Sequence, residues 1–154
     1  MTPLTRRHVI LATGAAALAT LTAPRAAMAT PEEVEAKILE TFTSPTQAGR
    51  IVMTAPPLAE TGNSVPIRIA VDSPMTPEDH VTRIGVYASL NPRPRTGIFT
   101  LTPAMGRAEV EFNMRLSTGQ DVTVIAEMAD GTLYRLDQRI IVQVGACTTL
   151  NARY

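Results

Sequence analysis

Tryptophan is absent from this chain of 154 residues, and aromatic residues make up only 4% of it. A hydrophobic core must therefore be built mainly from valine, isoleucine, leucine and methionine side chains. The sequence also has a single cysteine, Cys147, which excludes an internal disulfide. Lys37 is the only lysine, so arginine carries almost all of the positive charge.

The first 29 residues have the composition of an export signal rather than of a folded domain. Arg6 and Arg7 precede an apolar, alanine-rich stretch over residues 9–21, which is too short for a membrane anchor. Ala27-Met28-Ala29 then supplies small residues at the positions that a signal peptidase recognises. The adjacent arginines favour the twin-arginine export route. We therefore predict a signal peptide over residues 1–29, cleavage after Ala29, a mature chain without a membrane anchor, and a location in the periplasm.

Removal of that segment changes the charge balance. The whole sequence has 14 basic and 14 acidic residues, and the segment takes away three arginines and no acid. The mature chain keeps 11 basic residues (14 less three) against 14 acidic ones, a net charge of −3. This balance argues against nucleic acid or an anionic membrane surface as the partner.

A short helix is predicted at the start of the mature chain. Thr30 is a suitable N-cap, Pro31 suits the first helical position, and acidic residues follow in the first turn. Val34, Ile38 and Phe42 recur every four residues and form one apolar stripe. The pattern predicts an amphipathic helix over residues 31–42.

Beyond the helix, the spacing of apolar residues changes to the alternation of β-strands. Alternating apolar residues over 65–71 predict one strand, and Asp130-Gly131 between two apolar runs predicts a hairpin. About seven short strands with turns between them predict a single antiparallel β-sandwich of immunoglobulin-like type over residues 30–144. The other predicted strands cover residues 51–54, 81–89, 97–102, 108–116, 122–128 and 133–144.

Two conventional kinds of site are weakly supported. Glu78, Asp79 and His80 could contact a metal, but such a cluster is more often a solvated turn. Asp72, Ser73 and His80 could be drawn as a hydrolase triad, but no nucleophile elbow surrounds the serine. We therefore predict no metal, no other cofactor and no catalytic residue.

Cys147 is the strongest candidate functional residue. It follows the last predicted strand and lies in Gly145-Ala146-Cys147-Thr148-Thr149, where no bulky side chain could pack around it. This composition predicts an exposed thiol on a flexible C-terminal arm over residues 145–154, with Gly145 giving the arm freedom to move. Without a nearby histidine, the thiol is better suited to hold a cargo covalently than to act as an activated nucleophile.

Several runs along the chain match one family in combination. The most specific are Asp72-Ser73-Pro74-Met75 and the run Ala126-Glu127-Met128-Ala129-Asp130-Gly131. Residues 58–66 and 99–104 add to them, as does a final strand leading to a glycine and the cysteine. On these residues the chain resembles the SoxY family, the sulfur-carrier subunit of the thiosulfate-oxidising Sox system.

The resemblance implies a carrier protein rather than an enzyme. Cys147 would hold thiosulfate-derived oxidation intermediates, while separate Sox cytochrome, hydrolase and dehydrogenase components make transient contacts and process them. It also implies a heterodimer with a second small β-sandwich subunit, SoxZ. A SoxZ-like subunit without its own signal could cross the membrane folded with this chain, in agreement with the twin-arginine motif.

The C-terminal arm departs from the family pattern. The family ends in Gly-Gly-Cys-Gly-Gly, whereas here Ala146 precedes the cysteine and seven residues, from Thr148 to Tyr154, follow it. Alanine and β-branched threonine reduce backbone freedom relative to glycine. One alternative is therefore a SoxY-like paralogue that serves as a carrier, binding or assembly module in a different periplasmic oxidation system. A hydrolase or metal-dependent enzyme is the third and weakest alternative.

Overall fold

The computed structural model describes residues 29–145, which form nine strands and one α-helix. The predicted strands over 51–54, 65–71 and 133–144 have the observed bounds. The helix is α1 (Pro31–Leu39), and a 3₁₀ turn covers Pro103–Met105. The strands are β1 (Thr46–Gln47), β2 (Ile51–Thr54), β3 (Leu58–Thr61), β4 (Val65–Val71), β5 (Val81–Ala88), β6 (Arg95–Thr100), β7 (Ala108–Met114), β8 (Gln120–Met128) and β9 (Leu133–Val144).

Two sheets pack face to face. The larger has the order β1-β9-β8-β5-β6, with β3 also paired to β9, and the smaller has the order β2-β4-β7. The predicted immunoglobulin-like β-sandwich is thus confirmed. Two features were not predicted: β1 and β3 are additional strands, and both run parallel to β9. β1 has only two residues, which are too few to show the alternation by which a strand is recognised. β3 comes directly after Pro56-Pro57, a pair that indicates a turn or loop rather than a strand.

The core between the sheets follows from the alternation of apolar residues. Val65, Ile67, Ile69 and Val71 of β4 all point inward and are buried, while the residues between them lie on the outer surface. The predicted hairpin turn at Asp130-Gly131 also forms, with Gly131 in the left-handed conformation at φ 84°.

The helix α1 covers part of the outer face of the larger sheet. Thr30 and Glu33 form a capping box at its start: the Thr30 side chain accepts from the Glu33 N–H, and the Glu33 carboxylate accepts from the Thr30 N–H. The predicted helix ends earlier than expected, at Leu39, but Phe42 still donates its N–H to Ile38 and stays on the apolar side. A second apolar cluster results, made of Val34, Ile38, Phe42, Tyr87, Ile125 and Leu133.

The segment after the helix, which includes Thr41 and Phe42, is held against the sheet in two ways: Gly85 leaves room for the Phe42 ring, and Arg83 of an ion pair contacts both residues. A Cβ atom on Gly85 would lie 2.6 Å from the Phe42 ring, so glycine at this position lets the ring approach the strand. Arg83 pairs with Glu127, lies over the Phe42 ring at 5.1 Å, and donates to the Thr41 carbonyl at 3.4 Å. The glutamate of the Ala126–Gly131 run therefore has a structural role in holding this segment against the sheet.

Some predictions fall outside the described residues. The predicted signal over residues 1–29, including Arg6 and Arg7, lies there except for Ala29, as does the arm beyond Gly145. Within residues 29–145, no helix is both long enough and apolar enough to span a membrane. The domain boundaries and the export signal stay predictions.

The Arg83–Glu127 pair predicts a specific pH dependence of stability. Hydrogen bonding from Arg83 holds the pKa of Glu127 below its ordinary value, against the opposing effect of partial burial. The stabilisation is therefore present above the unfolded-state pKa and is lost as the pH falls through the folded-state pKa. We expect Glu127→Gln to lower the free energy of unfolding at pH 7 by about 1 kcal/mol. The difference from the unmodified protein should shrink below about pH 4.

Urea denaturation at a series of pH values measures this difference. Glu60→Gln is the matched control, because Glu60 forms no ion pair within residues 29–145. A constant difference between Glu127→Gln and the unmodified protein from pH 7 to about pH 3 would contradict the assignment.

Candidate functional site

The structure describes the root of the arm but not the candidate residue itself. Cys147 and the rest of the arm after Gly145 lie outside the described residues, so the exposure of the thiol stays a prediction. Val144 ends β9, and Gly145 follows it directly. We call Val144 and Gly145 the arm root, because the cysteine is two residues further along the chain.

The arm root is held by hydrogen bonds on the side of β3. Thr61 is the register partner of Val144 in the parallel β3–β9 pair, and the Gly62 N–H donates to the Val144 carbonyl at 2.7 Å. The Gly62 carbonyl in turn accepts from the Leu116 N–H at 2.8 Å. The end of β9 is thereby linked through β3 to the loop between β7 and β8.

Gly145 lies against the backbone of that loop. A Cβ atom at this position would be 1.9 Å from the Ser117 carbonyl oxygen and 2.9 Å from its carbonyl carbon, far inside van der Waals contact. Only glycine allows this approach. The structure thus gives a reason for glycine that the sequence did not predict, and the predicted freedom of movement at Gly145 stays untested.

A buried glutamine fixes the loop on which Gly145 lies. Gln120 is fully buried at 0% exposure, and its side-chain oxygen accepts from the Leu90 N–H at 2.6 Å. Its amide nitrogen donates to the Asn91 side-chain oxygen at 2.9 Å and to the Thr118 carbonyl at 3.1 Å. A buried amide with these partners resists movement, because a broken bond would leave a polar group without water.

Ser117 itself is held from two directions. Its N–H donates to the Asn91 side-chain oxygen at 2.9 Å, and its hydroxyl donates to the Leu90 carbonyl at 2.8 Å. The Asn91 amide also donates to the Arg115 carbonyl at 2.8 Å. The β5–β6 and β7–β8 loops therefore form one connected support for the arm root.

The residues of the weaker candidate sites lie in the loop between β4 and β5, at the opposite end of the sandwich from the arm root. Their polar groups form hydrogen bonds within that loop. The Ser73 hydroxyl donates to the Asp79 carbonyl at 3.1 Å, and the Met75 N–H donates to that hydroxyl. His80 Nδ1 lies 3.0 Å from the Thr76 carbonyl. Among residues 29–145, no group of three or more histidine, cysteine, aspartate or glutamate side chains is placed to hold a metal.

Sequence reasoning missed the support residues Asn91, Ser117 and Gln120. All three lie in or beside segments that the sequence identifies only as turns, where polar residues are common. A glutamine at the start of a strand carries no sign of being buried. The contact between Ser117 and Gly145 joins residues that are 28 positions apart, so no local pattern could reveal it.

The contact at the arm root predicts a local effect of Gly145→Ala. The added methyl group cannot occupy its place beside Ser117, so the arm root should move away and weaken the Gly62–Val144 hydrogen bond. We expect amide hydrogen exchange at Gly62 to become about tenfold faster, equivalent to about 1.4 kcal/mol. The rest of the sandwich should keep its protection.

Gly97→Ala is the control, because a Cβ atom there would have its nearest neighbour 3.8 Å away. It should leave exchange at Gly62 unchanged. Equal exchange at Gly62 in Gly145→Ala and in the unmodified protein would show that the contact does not hold the arm root.

Comparison with solved structures places this geometry among known proteins. The sulfur carrier protein SoxY from Chlorobium limicola f thiosulfatophilum matches with a TM-score of 0.62 and 27% identity, over 72% of this chain and 92% of that chain. A superoxide reductase (neelaredoxin) from Ignicoccus hospitalis matches with a TM-score of 0.54 and 17% identity, over 75% of this chain and 94% of that one. The second likeness shows a shared fold alone.

Comparison with protein families gives a more specific result. No curated protein matches the sequence significantly. The family model described as "Sulfur oxidation protein SoxY" matches residues 35–147, so the match covers most of the chain and ends at Cys147. It includes the second half of the helix, both sheets, the arm root and its support. The chain therefore belongs to the SoxY family of sulfur carrier proteins.

Proposed function

We propose that this protein carries oxidation intermediates of inorganic sulfur covalently on Cys147 in the periplasm. The observation that carries the proposal is that the family match runs through the arm root and ends at the sole cysteine. A second support is the arm root itself, since hydrogen bonds and close backbone packing hold the chain against the sandwich up to two residues before the thiol. A carrier needs this combination of a stable body and a thiol beyond it.

In this proposal, the chain itself supplies only one reactive group. Thiosulfate would attach when the Cys147 thiol and the terminal sulfur of thiosulfate form an S–S bond, with loss of one proton and two electrons. The cytochrome partner implied by the family would accept the electrons, and hydrolase and dehydrogenase partners would shorten the adduct. The chain supplies only the thiol and its position, so we propose that it acts as a protein-bound substrate and has no turnover of its own.

A SoxZ-like subunit is the proposed stable partner. Several apolar side chains are exposed on this chain, among them Val52, Leu58 and Ile141. Leu58 and Ile141 are register partners in the β3–β9 pair, so they lie side by side on the surface. Apolar surface of this kind is consistent with a second subunit, and the family supplies SoxZ as its identity.

A SoxY-like module of another periplasmic oxidation system is the second candidate. The residues after Cys147 favour it, because the family match stops at the cysteine and seven further residues follow. Such a paralogue would use the same thiol with a different cargo, or would act in assembly without a cargo.

Intact-mass spectrometry of the protein purified from its native periplasm tests the carrier function. We expect added masses that correspond to sulfur or sulfur oxyanion groups, all removed by a thiol reductant. Cys147→Ser should carry none of them while unfolding at the same temperature, because an exposed thiol on the predicted arm would contribute little to the stability of the core. Copurification of a second small subunit would support the heterodimer.

The outcomes separate the candidates. Adducts that are not sulfur compounds would favour the other oxidation system, and a cysteine that is always unmodified would favour an assembly role. Adducts that persist in Cys147→Ser would overturn the assignment of the site.

Export is tested separately. The pair Arg6 and Arg7 precedes a mildly apolar segment, so Arg6→Lys combined with Arg7→Lys should leave the protein in the cytoplasm with its signal uncleaved. Cell fractionation and the mass of the mature N-terminus measure this result. Normal periplasmic accumulation of the double variant would contradict the twin-arginine route, and the intact-mass experiment would be unaffected.

A further inference from the structure

Five methionines lie in the described part of the chain, and they differ sharply in exposure. Four of them are buried, with exposed fractions between 2% and 6%, and all four belong to the core cluster between the sheets. The fifth, Met105, is 56% exposed and belongs to neither apolar cluster. The buried four are Met53, Met75, Met114 and Met128. Among residues 29–145, Met105 is therefore the one methionine whose side chain lies mostly in solvent.

The turn that carries Met105 is closed by backbone hydrogen bonds and does not need its side chain. Met105 is the last residue of the 3₁₀ turn, and its N–H donates to the Thr102 carbonyl at 3.0 Å. The Gly106 N–H donates to the Pro103 carbonyl at 3.0 Å, with Gly106 in the left-handed conformation at φ 69°. A chemical change at the Met105 sulfur would leave both of these bonds in place.

The turn also lies at the opposite end of the sandwich from the arm root. β9 ends at the arm root, and β5 runs in the same direction as β9 because both are antiparallel to β8. β6 is antiparallel to β5 and leads into the turn, so the turn and the arm root are at opposite ends. The hydrogen bonds of Gln120, Asn91 and Ser117 that support the arm root involve no residue of the turn.

A thioether in solvent is open to oxidants that transfer an oxygen atom. Hydrogen peroxide gives one oxygen atom to the methionine sulfur and leaves as water, so the sulfur loses two electrons and no further reactant is needed. The product, methionine sulfoxide, is polar. In solvent a polar sulfoxide is hydrated, whereas in a core it lacks hydrogen-bond partners. The effect on the fold therefore depends on where the methionine lies.

We propose that Met105 is an oxidation site, at which peroxides convert the thioether to a sulfoxide while the sandwich stays folded. The inference goes beyond the proposed carrier function, since it needs neither Cys147 nor any partner protein of a sulfur-oxidising system. The sulfoxide remains on the surface, where methionine sulfoxide reductases can reach it and return it to methionine. Met105 thus takes up oxidising equivalents reversibly, at a position where the fold tolerates the change.

The four buried methionines are protected by the fold, and their oxidation would damage it. An oxidant reaches them only when the core opens, and core strands open least often. A sulfoxide at Met114, which is 2% exposed, would place a polar oxygen among the apolar side chains of the core cluster. The proposal therefore predicts an order of oxidation, with Met105 first and the buried methionines only as the protein unfolds.

Oxidation by hydrogen peroxide, followed by tryptic digestion and mass spectrometry, measures this order. Trypsin cuts after arginine, and arginines separate the five methionines, so each falls in a peptide of its own. The protein would be used as Cys147→Ser, so that the thiol does not consume the oxidant. We expect Met105 to gain one oxygen atom at least about tenfold faster than any of the buried four. In urea strong enough to unfold the protein, all five should react at the same rate. The separating arginines are Arg68, Arg95, Arg107 and Arg115.

Met105→Leu should remove the fast reaction, and no buried methionine should react faster in its place. Met128→Leu is the matched control, because Met128 is 4% exposed and lies in the core cluster, which does not include Met105. It should leave the fast reaction unchanged. Leucine has about the volume of methionine, so the control variant keeps the core filled.

Thermal unfolding measures whether the fold tolerates the oxidation. Protein with one oxygen atom on Met105 should unfold within about 1 °C of the untreated protein, because an exposed side chain contributes little to stability. Incubation with methionine sulfoxide reductases and a thiol reductant should restore the original mass.

Three results would overturn the proposal: oxidation of a buried methionine as fast as that of Met105, a fall of several degrees in unfolding temperature after oxidation of Met105 alone, or a sulfoxide that the reductases leave unreduced. The sulfur adducts expected on Cys147 are measured at a different residue and on the protein that keeps its cysteine. Failure at Met105 would therefore leave the carrier function standing, and failure of the carrier function would leave the oxidation site standing.

Discussion

Burial of the central strands on both faces is the constraint on which the fold depends. On β8, Val122, Val124 and Ala126 point into the core between the sheets, whereas Ile125 points to the outer face and is also completely buried. Since an apolar outer face needs a cover, the helix α1 and Phe42 pack on it. The capping box at Thr30, the small size of Gly85 and the Arg83–Glu127 pair all serve to keep that cover in place.

In the proposed function, the sandwich contributes the position of the thiol rather than reactive groups of its own. The thiol lies on a chain end, and the part of the protein next to it is fixed by backbone contact and by buried hydrogen bonds from Gln120 and Asn91. In the proposed function, this support gives the arm that bears the cysteine a defined starting point on the sandwich. Membership of the SoxY family and the hydrogen-bonded arm root both support the proposed carrier function.

Sequence patterns predicted the sandwich well because its main strands are amphipathic. The alternation in β4 and the Asp-Gly turn before β9 are local features, and the structure confirms both. The short edge strands β1 and β3 have no such pattern and depend on β9 for their conformation. The support of the arm root was likewise beyond prediction, since the contact of Gly145 with Ser117 exists only after two distant segments are brought together. Cys147 could be singled out because it is the only cysteine and lies beyond the last strand.

The position of β9 has a mechanical consequence. β9 has twelve residues and is bonded to β8 on one side and to β1 and β3 on the other, with β3 along its last residues. A pull on the cysteine along the strand axis would load the flanking hydrogen bonds together, in shear, rather than one after another as in peeling. Parallel β3 shares the load where it enters the fold. A partner that grips the arm and withdraws it could thus exert force on the chain while the sandwich stays folded.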